Sequence, residues 1–204
     1  GDGTLRVVDH LLDDLNTRFN GVAQLEVITV GGHTFVITSG DDAGLSLFRL
    51  TAEGRLVHLQ SRADGSDTVL NGITGLAAIA DDSGFDILTV SGSEGGASLF
   101  RVEFEAPGVV QHTRSGALNG TGSDDMLSLR VGNGTLHGKG GNDVLSDGAG
   151  ADTLTGGTGK DIFVLRSDGK RDVITDITVG EDVLDLSDWP FLRSFSQLEV
   201  ETVS

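Results

Sequence analysis

Gly138-Lys-Gly-Gly-Asn-Asp143-Val-Leu145-Ser, Asp147-Gly-Ala-Gly-Ala-Asp152-Thr-Leu154-Thr and Gly156-Gly157-Thr-Gly159-Lys-Asp161-Ile-Phe163-Val164 are three consecutive nonapeptides in one register. Glycines crowd the first four positions, aspartate holds position six and a large apolar residue holds position eight. The register runs backwards into Gly120-Thr-Gly-Ser-Asp-Asp125-Met-Leu127-Ser and a degenerate unit, Leu129–His137, in which Gly134 stands where aspartate is expected and Leu136 keeps position eight. It also runs forward. After two extra residues, Leu165 and Arg166, the segment Ser167-Asp168-Gly169-Lys-Arg-Asp172-Val-Ile174 puts Asp172 at position six and Ile174 at position eight.

Each unit reads as a tight turn followed by a short strand. Glycine accepts positive φ and close backbone approach, so the turn is sharp and its carbonyls are exposed. One unit cannot bury its single large apolar residue alone, so the array is stable only as a stack of coils. Position six adds a hard anionic oxygen to turns already rich in carbonyl oxygens. Calcium takes about six to eight oxygen ligands in a tolerant geometry, and two stacked turns supply such a set. The candidate ligands are Asp125, Asp143, Asp152, Asp161 and Asp172. The turn residues Gly138, Gly140, Asn142, Gly148, Gly150, Gly157, Gly159 and Asp168 join them.

The template G-G-x-G-x-D-x-U-x, carried by these units, resembles the RTX nonapeptide repeat, which forms a calcium-binding parallel β-roll in Gram-negative proteins exported by type I secretion. In such a roll two nonapeptides make one coil, so the resemblance implies ligands from units i and i+2. That pairs Asp125 with Asp143, Asp143 with Asp161, and Asp152 with Asp172, and it leaves Asp152 facing Gly134 on its other side, a weak or absent site. The run Asp172-Val-Ile-Thr-Asp176-Ile-Thr-Val-Gly180-Glu-Asp182-Val-Leu-Asp185-Leu-Ser-Asp188 resembles the segment that closes the β-rolls of serralysin-type proteases, with Ile177 in place of an aromatic. Its apolar residues suit short capping strands, and Trp189 suits a cap packed on the end of the stack. Phe191–Leu198 reads as a short amphipathic tail, and Glu199–Ser204 resembles the acidic and aliphatic ends of type I substrates. The resemblance implies a secreted, extracellular protein with the type I machinery as partner.

Charge agrees with a cation ligand. The chain carries a net charge of −17 and a pI near 4.4. The acids are spread over both halves: residues 1–118 hold 16 acids and 7 arginines, and residues 119–204 hold 15 acids and 7 bases. Such a surface argues against nucleic acid or an anionic membrane as a partner. Without calcium, repulsion among the repeat carboxylates should hold the C-terminal half open. There is no cysteine, so calcium takes the place of disulfides as the staple of a secreted domain. No segment approaches the ~20 apolar residues of a membrane span. No signal-peptide pattern stands at the start, and residue 1 is not methionine, which suggests a piece of a longer chain, a processed product or a trimmed one.

Residues 1–118 carry a longer period. Gly3-Thr-Leu5-Arg-Val7 recurs as Gly54-Arg-Leu56-Val-His58, Phe19-Asn20-Gly21-Val22 as Leu70-Asn71-Gly72-Ile73, and Ser46-Leu47-Phe48-Arg49-Leu50 as Ser98-Leu99-Phe100-Arg101-Val102, always at an offset of 51 or 52. Repeats of about 40–50 residues made of short strands point to β-propeller blades, and Gly32–Leu50 resembles blades of lactonase-like propellers. About two blades fit in this length, fewer than the roughly four to eight of a closed propeller. The expectation is the C-terminal piece of a longer propeller; blades shared between subunits and a two-unit β-sandwich are the alternatives. The fold class is therefore all-β: residues 1–118 as propeller-like blade repeats and residues 119–204 as a parallel β-roll with its cap and secretion tail.

No catalytic constellation is visible. His10, His33, His58, His112 and His137 form no H-E-x-x-H, and no Gly-x-Ser-x-Gly elbow sits at a strand-to-helix turn. Asp41, Asp42, Asp81 and Asp82 read as solvated turns of the blades. The leading function is calcium-driven folding that supports export and extracellular stability. The alternatives are the tail of a secreted propeller hydrolase or lactonase, and an adhesion or matrix protein whose propeller binds glycan or protein.

Overall fold

The structure, a computed structural model, describes residues 4–13, 17–103, 107–189 and 192. All sixteen elements among them are strands, as the glycine turns and alternating patterns dictate. The expected tail, Phe191–Leu198 and Glu199–Ser204, lies outside the described residues apart from Leu192.

The first half holds two antiparallel meanders. One has four strands in sequence order, β1 (Gln24–Val30), β2 (His33–Ser39), β3 (Gly44–Leu50) and β4 (Leu56–Ala63). The other has three, β5 (Ile73–Asp81), β6 (Gly84–Ser91) and β7 (Gly96–Glu103). They bury Val30, Phe35, Ile37 and Leu45 from one sheet against Ile73, Phe85 and Ile87 from the other, with Leu70 from the segment before β5. The Phe35 and Phe85 rings lie 5.1 Å apart at its centre, and each large side chain so buried contributes about 1.5–3 kcal/mol. The alternation of β2 suggests one buried face, yet Phe35, Val36 and Ile37 are all buried. The second face of this meander is covered too, by Phe19 beside Phe48 and by the second half of the molecule.

From residue 107 the chain winds into a parallel solenoid with two sheets. One stacks β8 (Pro107–Thr113), β10 (Asp124–Leu129), β12 (Val144–Ser146), β14 (Ile162–Val164) and β16 (Val183–Asp185). The other stacks β9 (Gly116–Asn119), β11 (Gly134–Gly140), β13 (Thr153–Thr158) and β15 (Val173–Ile174). Successive strands of the repeat pair 18 residues apart, two nonapeptides to a coil: Leu127 opposite Leu145, Leu145 opposite Phe163, and Leu136 opposite Leu154. These five position-eight residues are completely buried between the sheets. Ile174 and Leu184 extend the two columns into the closing segment, and Val109 and Leu118 begin them before the first Gly-Asp unit. Strands β8 and β9 thus supply a leading coil that carries no nonapeptide.

The closing segment contributes two short strands, β15 and β16. Ile177 and Val179, which sequence patterning suits to capping strands, lie in the loop between them and are exposed; the pattern here reflects a turn, Thr178–Asp182, closed by the Asp182 carboxylate on the Thr178 N–H at 2.7 Å. Trp189 does sit on the end of the stack, its indole N–H donating to the Leu165 carbonyl at 3.2 Å.

The first meander docks on the solenoid. Val57 packs with Val144 and Val164. Arg49 of β3 is buried and donates to the carbonyls of Asp124 (3.3 Å) and Asp125 (3.4 Å), with His33 against the same guanidinium. His33 in turn reaches the Gly108 carbonyl at 3.1 Å. Arg55 to Ser187 and Arg130 to Glu53 close the two ends of this contact.

Candidate metal centre

The nonapeptide turns stack along the two edges of the solenoid, and the position-six aspartates stack with them. On one edge the Val109 N–H donates to Asp125 Oδ1 (2.6 Å), the Asp125 N–H to Asp143 Oδ1 (2.7 Å), the Asp143 N–H to Asp161 Oδ1 (2.9 Å) and the Asp161 N–H to Asp182 Oδ1 (2.9 Å). On the other edge the Gly134 N–H donates to Asp152 Oδ1 (2.6 Å) and the Asp152 N–H to Asp172 Oδ1 (3.0 Å). Each carboxylate therefore spends one oxygen tying its coil to the one before.

The second oxygen is the telling one. Oδ2 of Asp143, Asp152 and Asp161 is buried and has no hydrogen-bond partner. A buried anionic oxygen left unpaired costs several kcal/mol, and native folds do not leave it so without a ligand or a proton. The space beside it is kept by glycine. A Cβ at Gly138 would collide with Asp143 Oδ2 and come within 2.5 Å of the Gly156 carbonyl, and one at Gly156 would collide with Asp161 Oδ2. At the Gly138 turn a carboxylate oxygen and a carbonyl oxygen thus converge on one small opening, a hard oxygen set of the kind calcium takes. Among the described residues no three His, Cys, Asp or Glu side chains form a metal cage of their own, so an ion on these edges draws on main-chain carbonyls as well as on the aspartates.

Burial and mutual repulsion show in the acidities. Burial pushes the Asp143 carboxyl up to about 7, with Asp161, Asp125 and Asp124 adding repulsion against the steadying Asp125 N–H. Burial likewise raises Asp161 to about 6, Asp172 to about 6, and Asp152 above its ordinary value. A bound cation removes this penalty, since its charge favours the ionised carboxylate.

The remaining candidates fall into distinct places. Gly148 and Gly157 at position two, and Gly150 and Gly159 at position four, adopt positive φ and stack on the turn 18 residues earlier. Gly140 faces Thr158. Asn142 belongs to an outer ladder, accepting the Lys160 N–H at 2.8 Å while its own N–H donates to Asp124. Asp168 has both oxygens on backbone donors, Gly150 and Lys170. Asp125 differs from its equivalents: the N–H and hydroxyl of Thr121 already occupy its second oxygen. Sequence reading missed four acids. Asp124 and Asp182 extend the stacked columns, Asp176 accepts the Gly156 and Gly157 N–H groups, and Asp147 accepts the Arg166 N–H at 3.0 Å. Asp147 stands at position one, where the units at Gly120, Gly138 and Gly156 have glycine, and its burial raises it to about 7. An acid in a glycine position was the available signal.

Residues 130–163 match the family model for the RTX calcium-binding nonapeptide repeat, in four copies. No curated protein and no solved structure matches the chain. The matched repeats and the parallel solenoid together make this a calcium-binding β-roll protein. Repeats of this kind are typical of secreted bacterial proteins.

Proposed function

We propose that calcium drives the folding of residues 119–204 into the roll, and that this folding supports export by a type I system and stabilises the protein outside the cell. The observation that carries the reading is the set of buried, unpartnered Oδ2 atoms on Asp143, Asp152 and Asp161. A chain that must bury these charges folds poorly where calcium is scarce and well where it is plentiful. That behaviour keeps the chain open during passage and closes it on arrival. Extracellular calcium modules work at roughly 10⁻⁴–10⁻³ M, the range the reading requires.

In this reading Asp125, Asp143, Asp152, Asp161 and Asp172 supply carboxylates, Gly138, Gly140, Gly148, Gly150, Gly157 and Gly159 supply turn carbonyls, and Asn142 and Asp168 hold the turns from outside. Asp143 and Asp161 border more than one turn and carry most of the response, whereas Asp125, already engaged by Thr121, carries least. Within residues 1–118 the two meanders, Gln24–Glu103, serve as the propeller-like partner that the roll steadies through Arg49 and Val57. The test is far-UV circular dichroism of metal-free protein titrated with calcium, with magnesium as control. A cooperative gain of β signal at millimolar calcium alone is the expected result; a chain already folded in chelator and indifferent to calcium would refute it.

A further inference from the structure

The two meanders are one repeat, and at an offset of 52 every strand has its counterpart. Strand β2 (His33–Ser39) maps onto Phe85–Ser91 of β6, and β3 (Gly44–Leu50) onto Gly96–Val102 of β7. The fourth strand, β4 (Leu56–Ala63), maps onto residues 108–115, with Val57 matching Val109, Ser61 matching Thr113 and Arg62 matching Arg114. That segment is β8. In the structure it does not complete the second meander: it pairs in parallel with β10 as the leading strand of the roll, Val110 opposite Met126 and Gln111 opposite Leu127. The second meander is left with three strands, and among the described residues nothing pairs with the outer edge of β7. Beside that edge a cleft of about 500 Å³ opens between the sheets, lined by Leu47, Gln60, Arg62, Phe100 and Val102. An open edge beside a cleft with both apolar and polar walls is a ready place for a strand.

We infer that β8 is a shared strand, the fourth strand of the second meander in the calcium-free chain and the first strand of the roll in the calcium-bound one. The inference rests on the calcium-driven folding proposed above. Both pairings are built into the chain. Three residues separate β7 from β8, a length at which hairpins close. The first meander shows the register: Phe48 opposite His58 and Ser46 opposite Ser61 become Phe100 opposite Val110 and Ser98 opposite Thr113. Against this, the hold of the roll on β8 runs through the metal edge. The Val109 N–H donates to Asp125 Oδ1, and the Asp125 N–H to Asp143 Oδ1. When the carboxylates of that edge repel one another unscreened, the roll loses the strand and the antiparallel edge takes it.

The Ser46 and Ser61 hydroxyls touch at 2.9 Å, so a cysteine pair at their counterparts reports the alternative pairing, and the chain has no cysteine of its own to interfere. The variant Ser98→Cys/Thr113→Cys should cross-link readily in chelator and at least about tenfold more slowly in saturating calcium, while the control Ser46→Cys/Ser61→Cys cross-links alike in both. In the unmodified chain, hydrogen exchange gives the opposite sign from ordinary folding: calcium should protect amides throughout the roll but deprotect the outward amides of β7. Cross-linking that ignores calcium, or β7 amides that gain protection with the rest, overturns the shared strand. A β signal that ignores calcium would instead defeat the folding reading itself, so the two failures are distinguishable.

Discussion

Asp143→Asn should stabilise the calcium-free roll and weaken the calcium-bound one, a reversal of sign that few substitutions show. Asp143 is completely buried. Its Oδ1 holds the Asp125 N–H at 2.7 Å, an acceptor that asparagine keeps. Its Oδ2 has no partner and faces glycine and a carbonyl, where an amide N–H is a better neighbour than an anion. Burial lifts the carboxyl from 3.8 to about 7. Three pH units at about 1.36 kcal/mol each set a ceiling near 4 kcal/mol on the penalty of ionising it in the fold. Structural relaxation and water leave about half of that, so at pH 8 the calcium-free folding equilibrium should move about 30-fold toward the roll. In calcium the same change removes an anionic ligand beside both Asp125 and Asp161. At about tenfold in affinity per ligand, or about 1.4 kcal/mol, the calcium midpoint should rise by about an order of magnitude and the roll should lose about that stabilisation at each turn. The assay is far-UV dichroism in chelator and across a calcium titration. A loss of β signal in chelator would show that Oδ2 is not a buried liability, and an unchanged midpoint and stoichiometry, in this variant or in Asp143→Ala, would show that Asp143 is not shared between turns.

Three further outcomes follow from the same geometry. The calcium-free roll should gain stability on acidification: Asp143 and Asp147 titrate near 7 and Asp161 and Asp172 near 6 in the fold, against about 3.9 unfolded. The folded form holds the extra protons, so this stability is full below about pH 4 and is lost as pH rises through 6 to 7, whereas calcium binding strengthens over that same rise and releases protons; dichroism in chelator and calorimetry in two buffers read the two effects. Lys139→Gly should raise the urea midpoint of the calcium-bound protein, because Lys139 holds φ at +83° at a position-two site that glycine fills in the next two units; relief of left-handed backbone is worth about 1 kcal/mol. Arg49→Ala should cost about 2 kcal/mol of docking by stranding the Asp124 and Asp125 carbonyls, seen as separation of the two halves into distinct unfolding transitions while the roll keeps its calcium midpoint.

The roll was legible because its information is local. Position eight repeats every nine residues, and a stack with two units per coil is the arrangement that lines Leu127, Leu145 and Phe163 in one column and Leu136 and Leu154 in the other. The all-β class and the calcium ligand followed from the same units. Other features had no local signature. Thr121 at position two looks like a mild departure from glycine, and only the folded turn shows it seated on Asp125. Arg49 looks like any strand arginine, and its burial against the Asp124 and Asp125 carbonyls depends on two segments about 75 residues apart. Ile177 and Val179 fit a strand pattern, but the loop geometry sets them in solvent.

By itself the sequence determined the nine-residue period, the inward residues and the chemistry of the turns, because in a stacked repeat each unit meets only its neighbours and every unit carries the same instructions. The tertiary structure decided where the stack begins and what it leans on. Residues 108–115 match β4 at an offset of 52, yet Pro107–Thr113 pair in parallel with β10, and backbone hydrogen bonds are the same currency in either kind of pairing. The choice falls to long-range contributions that no local pattern records: Val109 entering the roll core, its N–H on the Asp125 carboxylate, and His33 holding the Gly108 carbonyl from the neighbouring sheet.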